Sequence, residues 1–289
     1  MAGTPAPAPA ADETCYPLRA HGSATDQPFP VVAGTTDLYQ CFMFAAPWKQ
    51  AIQAVSFRSK IDNSKILHHW LLYQNLAPVQ AGARACSGAH PEAALIAGWA
   101  VGGSDTVLPE DVGIEMDTNG VTLELHYNNP STNNLTDNSG VDVCVSKQPR
   151  PHTAVVHWLG TTSLNLTGGG TVTSMCSPTY GSGPITIVRS WPHMHKHGSH
   201  MVSTIVRASG QRETLLDKDF DFNYQVSFPT PAVLNMGDRV ETSCTYGSGP
   251  VVFGEGTPSE MCFDFVIAWP AGALASTGGF TYSPNQCFR

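Results

Sequence analysis

The sequence predicts an all-β chain of sandwich type, on three observations. Runs of β-branched and aromatic residues recur between turn signals, helical amphipathic periodicity is nearly absent, and 27 glycines and 22 prolines in 289 residues supply the turns. In chain order the predicted strands are 38–44, 54–58, 69–73, 121–127, 141–145, 154–159, 185–190, 201–206, 239–246 and 261–268. Asp62-Asn63-Ser64, Ser139-Gly140, Ser209-Gly210 and Met236-Gly237-Asp238 separate them as turns. The one stretch with helical character is a short turn near residues 91–96.

At about 150 residues per domain, the length predicts two domains. Lys147-Gln148-Pro149-Arg150-Pro151 carries two prolines that a central strand excludes, so the boundary is placed there. Residues 1–14 read as a disordered Pro/Ala-rich tail, 15–150 as the first domain and 151–289 as the second. The tail lacks the basic and apolar regions of a signal peptide and reads as what remains after one is removed. With a net charge of −8 and 13% charged residues, no basic stripe exists to neutralise phosphates, which argues against a nucleic-acid partner. No run approaches the ~18 apolar residues of a membrane-spanning helix.

Eight cysteines lack any CxxC zinc spacing and read as disulfides, placing the chain in an oxidising compartment: secreted, periplasmic or secretory-lumenal. Eight cysteines allow 105 pairings, and composition does not choose among them.

The eleven histidines concentrate in three places. In His68-His69, neighbouring side chains on a regular strand point to opposite faces, so both reach one metal only at a strand start or a bulge. An isolated pair of this kind is more often structural. In Leu123-Glu124-Leu125-His126-Tyr127, alternation puts Glu124 and His126 on one face, and His126 completes a three-imidazole set with His68 and His69. Such a set suits copper, zinc or iron alike. In Pro192-His193-Met194-His195-Lys196-His197-Gly198-Ser199-His200, the i,i+2 spacing of His193 and His195 is that of a two-imidazole clamp. The alternative is a hydrated His-rich loop, and His197 and His200 are ambiguous in either reading. Met261 alone reads as core filler; beside two imidazoles its thioether would favour Cu(I). Asp217-Lys218-Asp219-Phe220-Asp221-Phe222-Asn223 begins like a calcium loop but has Phe222 where the turn needs Gly, and reads as a strand with acidic edges. No nucleophile elbow, phosphate loop or dinucleotide fingerprint is present.

Taken together, these segments resemble the copper type II, ascorbate-dependent monooxygenases, the family of peptidylglycine α-hydroxylating and dopamine β-monooxygenases. The resemblance spans residues 15–289 and rests on His68-His69, Gly98-Trp99-Ala100 with Leu108-Pro109-Glu110, Leu125-His126-Tyr127 and Pro192-His193-Met194-His195. It continues through Gly237-Asp238, Thr242-Ser243-Cys244-Thr245-Tyr246 and Ser259-Glu260-Met261-Cys262. It implies two tandem antiparallel, jelly-roll-like β-sandwiches facing across a cleft, with one copper each. The histidine-only copper falls on His68, His69 and His126, and the catalytic copper on His193, His195 and Met261. It also implies the disulfides Cys15–Cys144, Cys41–Cys86, Cys176–Cys287 and Cys244–Cys262, with no counterpart of a further family bridge near Asn75.

The implied reaction hydroxylates a C–H bond with O2 and two electrons from ascorbate or a similar reductant. Oxygen reacts at the Met-containing site and the second electron comes from the other. Glu124 is a candidate to orient His126. The peptide-amidating members place an Arg and a Tyr where this chain has Trp191 and Phe265, so a glycine-extended peptide is a poor candidate substrate. Trp191, Phe263 and Phe265 are instead expected to contact a small neutral, apolar or aromatic substrate, with Asp264 or Glu260 as partners should it be an amine. Two other readings stay open: a non-catalytic copper-binding or copper-handling protein, and a zinc hydrolase built on His193 and His195.

Overall fold

A computed structural model describes residues 9, 12–86, 90, 92–177 and 183–271. The chain divides into two compact units, Met1–Pro151 and His152–Arg289. No helix is present among the described residues.

The first unit begins with β1 (Glu13–Arg19), β2 (Phe29–Val31), β3 (Thr35–Phe44), β4 (Ile52–Lys60), β5 (Leu67–Asn75) and β6 (Gly82–Ala85). It continues with β7 (Ala93–Ala100), β8 (Thr106–Val107), β9 (Val112–Met116), β10 (Val121–Asn129), β11 (Leu135–Asp137) and β12 (Gly140–Ser146). One sheet runs β1-β12-β4-β9 with β8 on β4, a second runs β6-β3-β10-β5-β7, and β11 pairs with β2, all antiparallel. Alternation on β10 works as the sequence predicts: Leu123, Leu125 and Tyr127 are fully buried on one face, and Glu124 and His126 share the other. Fully buried Phe42 and Leu72 on this sheet, with Phe57, Ile114 and Val143 on the other, fill the unit's core. Pro17 lies in β1, at an edge where its missing N–H costs no ladder bond.

The second unit comprises β13 (His152–Gly160), β14 (Asn165–Leu166), β15 (Gly170–Cys176), β16 (Ile185–His193) and β17 (Gly198–Val206). There follow β18 (Arg212–Asp219), β19 (Phe228–Leu234), β20 (Arg239–Tyr246), β21 (Val251–Val252) and β22 (Phe263–Trp269). Here β13-β22-β16-β19 form one sheet, β15-β20-β17-β18 another, and β14 pairs with β21. Two apolar clusters bind the layers together. One joins Leu159, Ile187 and Val266 to Ile205 and Val240; the other gathers Val172, Met194, Met201, Cys244 and Cys262. The turns at Ser209-Gly210 and Met236-Gly237-Asp238 use glycines with φ of 89° and 87°, the left-handed region where a Cβ is penalised.

Three local expectations are corrected. Residues 93–100 form β7 rather than a helical turn, because pairing with β5 overrides the helix preference of Ala93, Ala94 and Ala97. The acidic segment is strand only to Asp219, after which Phe220 turns inward and is buried. Met261 precedes its predicted strand, since β22 begins at Phe263.

Candidate metal centres

The His68-His69 pair sits at a bulge. On β10, His126 pairs with His69 while the next residue, Tyr127, pairs with Leu67, so β5 spends His68 as the extra residue. That irregularity lets consecutive side chains converge. The His68 and His69 Nδ1 atoms lie 3.1 Å apart. The three ring centroids of His68, His69 and His126 stand 4.9–5.3 Å from one another. One nitrogen from each ring lies within 4.8 Å of the others.

His126 is held on two sides. Its Nε2–H donates to Asp37 Oδ1 at 2.8 Å, which leaves the ring's lone pair on Nδ1. Tyr39 stacks on the imidazole at 4.2 Å with planes 5° apart. Asp37 takes a φ of 58°, a left-handed conformation that Asp tolerates better than most residues, and this aims its carboxylate at the ring. Two Nδ1 atoms at 3.1 Å either share one proton or present two lone pairs to one cation. The latter, with a third imidazole whose tautomer is set by a carboxylate, is the chemistry of a nitrogen-ligated borderline metal. Glu124 does not orient His126 in this structure; its carboxylate bonds His90 Nε2 at 2.7 Å, and Asp37 takes the orienting place.

In the second unit His193 ends β16 and His195 follows it in the loop, with ring centroids 5.4 Å apart and planes nearly perpendicular. Each imidazole is anchored through Nδ1: His193 donates to Gln225 Oε1 at 2.9 Å and His195 to the Ser259 carbonyl at 2.9 Å. The lone pair of each ring therefore falls on Nε2, the tautomer a metal ligand needs. Glu260 fixes the loop, accepting the His195 and His197 amides at 2.9 and 2.7 Å.

Met261 is 4% exposed and lies two residues past the carbonyl that holds His195. Its own carbonyl accepts the Tyr246 hydroxyl at 2.7 Å, and Cys262 beside it is bonded to Cys244. The segment is thus tied to β20 at two points. Burial and the nearby Glu260 charge push the Tyr246 hydroxyl above its ordinary pKa, so it stays protonated and keeps donating.

Beside His193 runs an aromatic wall. Phe265 stacks on His193 at 5.2 Å and meets Trp191 at 5.7 Å, Trp158 at 4.9 Å and Phe263 at 6.0 Å. Pairing of β13, β22 and β16 lines up Trp158, Phe265 and Trp191 across three strands. Trp158 was not singled out from sequence, because only the sheet register brings it beside residues more than 30 positions away.

The expectation of an amine partner at Asp264 or Glu260 is overturned. Both carboxylates are buried: Glu260 accepts two backbone amides, and Asp264 points the other way on β22, accepting the Ser203 hydroxyl at 2.7 Å. His197 bonds the Ser248 carbonyl, and His200 bridges Asp217 and Asp219, contacts that are structural. Disulfides join Cys15 to Cys144, Cys41 to Cys86 and Cys244 to Cys262. The expected Cys176–Cys287 pair involves Cys287, outside the described residues.

Family models place this chain. Residues 25–134 match the N-terminal domain, and residues 162–285 the C-terminal domain, of the copper type II ascorbate-dependent monooxygenases. The chain is 28% identical over 249 residues to DBH-like monooxygenase protein 2 of Mus musculus, covering 75% of this chain and 40% of that protein. It is 29% identical over 206 residues to dopamine beta-hydroxylase of Rattus norvegicus, covering 62% and 33%. With the putative DBH-like monooxygenase protein 2 of Homo sapiens it shares 28% identity over 306 residues, covering 93% and 56%. The chain thus spans from a third to just over half the length of these relatives. The two domain matches lie one in each compact unit, in the family's order. The chain belongs to the copper type II ascorbate-dependent monooxygenase family.

Proposed function

We propose that this chain is a copper-dependent monooxygenase that hydroxylates a C–H bond of a small organic substrate with O2 and two electrons from ascorbate or a similar reductant. The observation that supports it best is the pair of converging donor sets in one chain, with His126, His193 and His195 each held in a ligating tautomer by a partner on the far nitrogen. Copper would be held by His68, His69 and His126 in the first unit and by His193, His195 and Met261 in the second. Copper held at these two sets would supply one electron from each through the Cu(I)/Cu(II) couple, matching the two needed for R–H + O2 + 2e⁻ + 2H⁺ → R–OH + H2O.

The residues around the metals do the positioning. Asp37 and Tyr39 hold His126; Gln225 and Ser259 hold His193 and His195; Tyr246 and the Cys244–Cys262 bond hold the Met261 segment. The thioether of Met261 makes its site the softer of the two and favours the reduced metal. Half-buried Trp158 and Trp191, packed on Phe265, offer a surface for a neutral apolar or aromatic substrate beside His193, while Phe263, expected from sequence to contact substrate, is fully buried and backs that wall instead. Neither Glu260 nor Asp264 is free to serve an amine there, both being buried and engaged elsewhere. The disulfides support an oxidising compartment, and no helix among the described residues is long and apolar enough to cross a membrane.

Ascorbate-driven O2 uptake by the copper-loaded chain tests this, with product analysis over neutral arenes, phenolamines and glycine-extended peptides. Neutral arenes should stimulate uptake and yield one hydroxylated product per O2. Turnover of glycine-extended peptides alone would overturn the substrate reading. A chain carrying two coppers with no substrate-coupled uptake would point instead to copper binding without catalysis.

A further inference from the structure

A second cluster of metal-ligating side chains lies in the first unit, apart from the three imidazoles. Strand pairing sets Cys41 on β3 opposite Glu124 on β10, and Cys86 follows β6 on the other side of β3. Glu124 is fully buried and the His90 side chain is 2% exposed. Glu124 Oε2 lies 2.7 Å from His90 Nε2 and 3.6 Å from Cys86 Sγ, and His90 Nε2 lies 3.8 Å from Cys41 Sγ. One donor atom from each of the four residues lies within 4.8 Å of all the others.

Glu124 Oε1 is buried and has no hydrogen-bond partner among the described residues. A buried carboxylate with one oxygen unsatisfied is costly, and an apolar residue at this strand position would avoid that cost. As a structural pair alone, His90–Glu124 is poorly designed; as half of a ligand set it makes sense. The other half is the sulfur pair. Two thiolates, an imidazole and a carboxylate are a complete tetrahedral set for a borderline d¹⁰ cation. The grouping of Glu13 with Cys15 and Cys144 supplies only three donors and no imidazole.

We propose that Cys41, Cys86, His90 and Glu124 form a redox-gated site for zinc(II), closed while the Cys41–Cys86 disulfide is intact and opened by a dithiol reductant. Reduction transfers two electrons and two protons from the dithiol, which becomes a disulfide, and leaves two thiols. Zinc then displaces the two thiol protons to solvent as the sulfurs bind it. Glu124 is two residues from His126 on one strand face, about 7 Å along the backbone. The cluster therefore lies next to the three-imidazole site.

Cobalt(II) is the spectroscopic probe, because a thiolate-to-cobalt charge-transfer band reports sulfur ligation and the histidine and thioether sites give none. The whole chain, treated with dithiol and then freed of it under anaerobic conditions, should bind cobalt with that band, and zinc should displace it; the untreated chain should show no band. His90→Ala and Glu124→Gln should each weaken cobalt binding at least about tenfold. A band that persists in the Cys41→Ser, Cys86→Ser chain after reduction would assign it to other cysteines and overturn the proposal. Should reduction unfold the chain, Cys41→Ser alone leaves Cys86 as a thiol beside His90 and Glu124 with the other bridges closed. That variant should show a band without any reductant, lost on adding His90→Ala; its absence would overturn the proposal equally.

Discussion

Replacing Asp37 separates two things its side chain does. The carboxylate accepts from His126 Nε2 at 2.8 Å, and the backbone holds a φ of 58°. Loss of an outer partner of a ligating histidine typically weakens metal binding about 10–100-fold, or about 1.4–2.7 kcal/mol. The Asp37 side chain is 39% exposed, so solvent screens the charge and the expected loss lies at the lower end, about tenfold. The backbone effect runs in a different order. Gly takes a positive φ without penalty, Asn tolerates it, and Ala costs about 1 kcal/mol there. Copper affinity at the first unit should therefore fall in the order Asp, Asn, then Gly with Ala, while stability should fall only in Asp37→Ala. Copper titration against a competing chelator reads the first, thermal unfolding of the metal-free chain the second. Affinities that followed the stability order, with Gly like Asp and Ala alone impaired, would show that Asp37 acts through the backbone and refute the orienting role.

Other expectations follow from single contacts. Met261→Leu keeps the packing of a residue only 4% exposed, at a cost below about 1.5 kcal/mol, yet should abolish substrate-coupled O2 uptake; undiminished uptake would remove Met261 from the ligand set. Gly160→Ala would place a Cβ 1.8 Å from the Cys262 carbonyl oxygen, so it should displace the Met261–Cys262 segment. Metal should weaken in the second unit and not in the first, as a domain-resolved copper titration can read. Burial pushes the Asp264 carboxyl up from 3.8 to about 6 in the folded chain, with the Ser203 hydroxyl opposing it. The folded state then binds the proton more tightly than the unfolded one. Asp264's favourable contribution is present below about pH 4 and lost as pH rises to about 6, on the order of 3 kcal/mol. Denaturation curves across that window should flatten in Asp264→Asn, and an unchanged slope would rule out Asp264 as the source.

The strands that alternate cleanly or run apolar were legible in sequence, β10 and β22 above all, since burial on one or both faces writes itself into residue type. Those that escaped had composition against them. β19 carries Pro229 and Pro231, a composition that central strands exclude, and it lies at a sheet edge; β7 is rich in alanine. Reasoning from side-chain direction required an irregular backbone at His68-His69, and the register shift against β10 supplies it. The residues that aim the ligands were beyond reach. Asp37 is 89 positions from His126 and Gln225 is 32 from His193, and neither type nor spacing marks them. Glu124 was assigned to the correct face of β10 but to the wrong histidine, because His90 reaches it from a segment whose path only the fold defines.

The central claim is that each half of the chain builds its own copper site from a separate ligand set. Copper content of the purified, disulfide-intact chain after equilibration with Cu(I) tests it most directly, alongside His69→Ala and His195→Ala chains whose folding is verified by circular dichroism. The expected result is two coppers in the unsubstituted chain and one in each variant. One copper or none in the unsubstituted chain, or a variant that keeps both or loses both, would contradict the assignment of two independent sites.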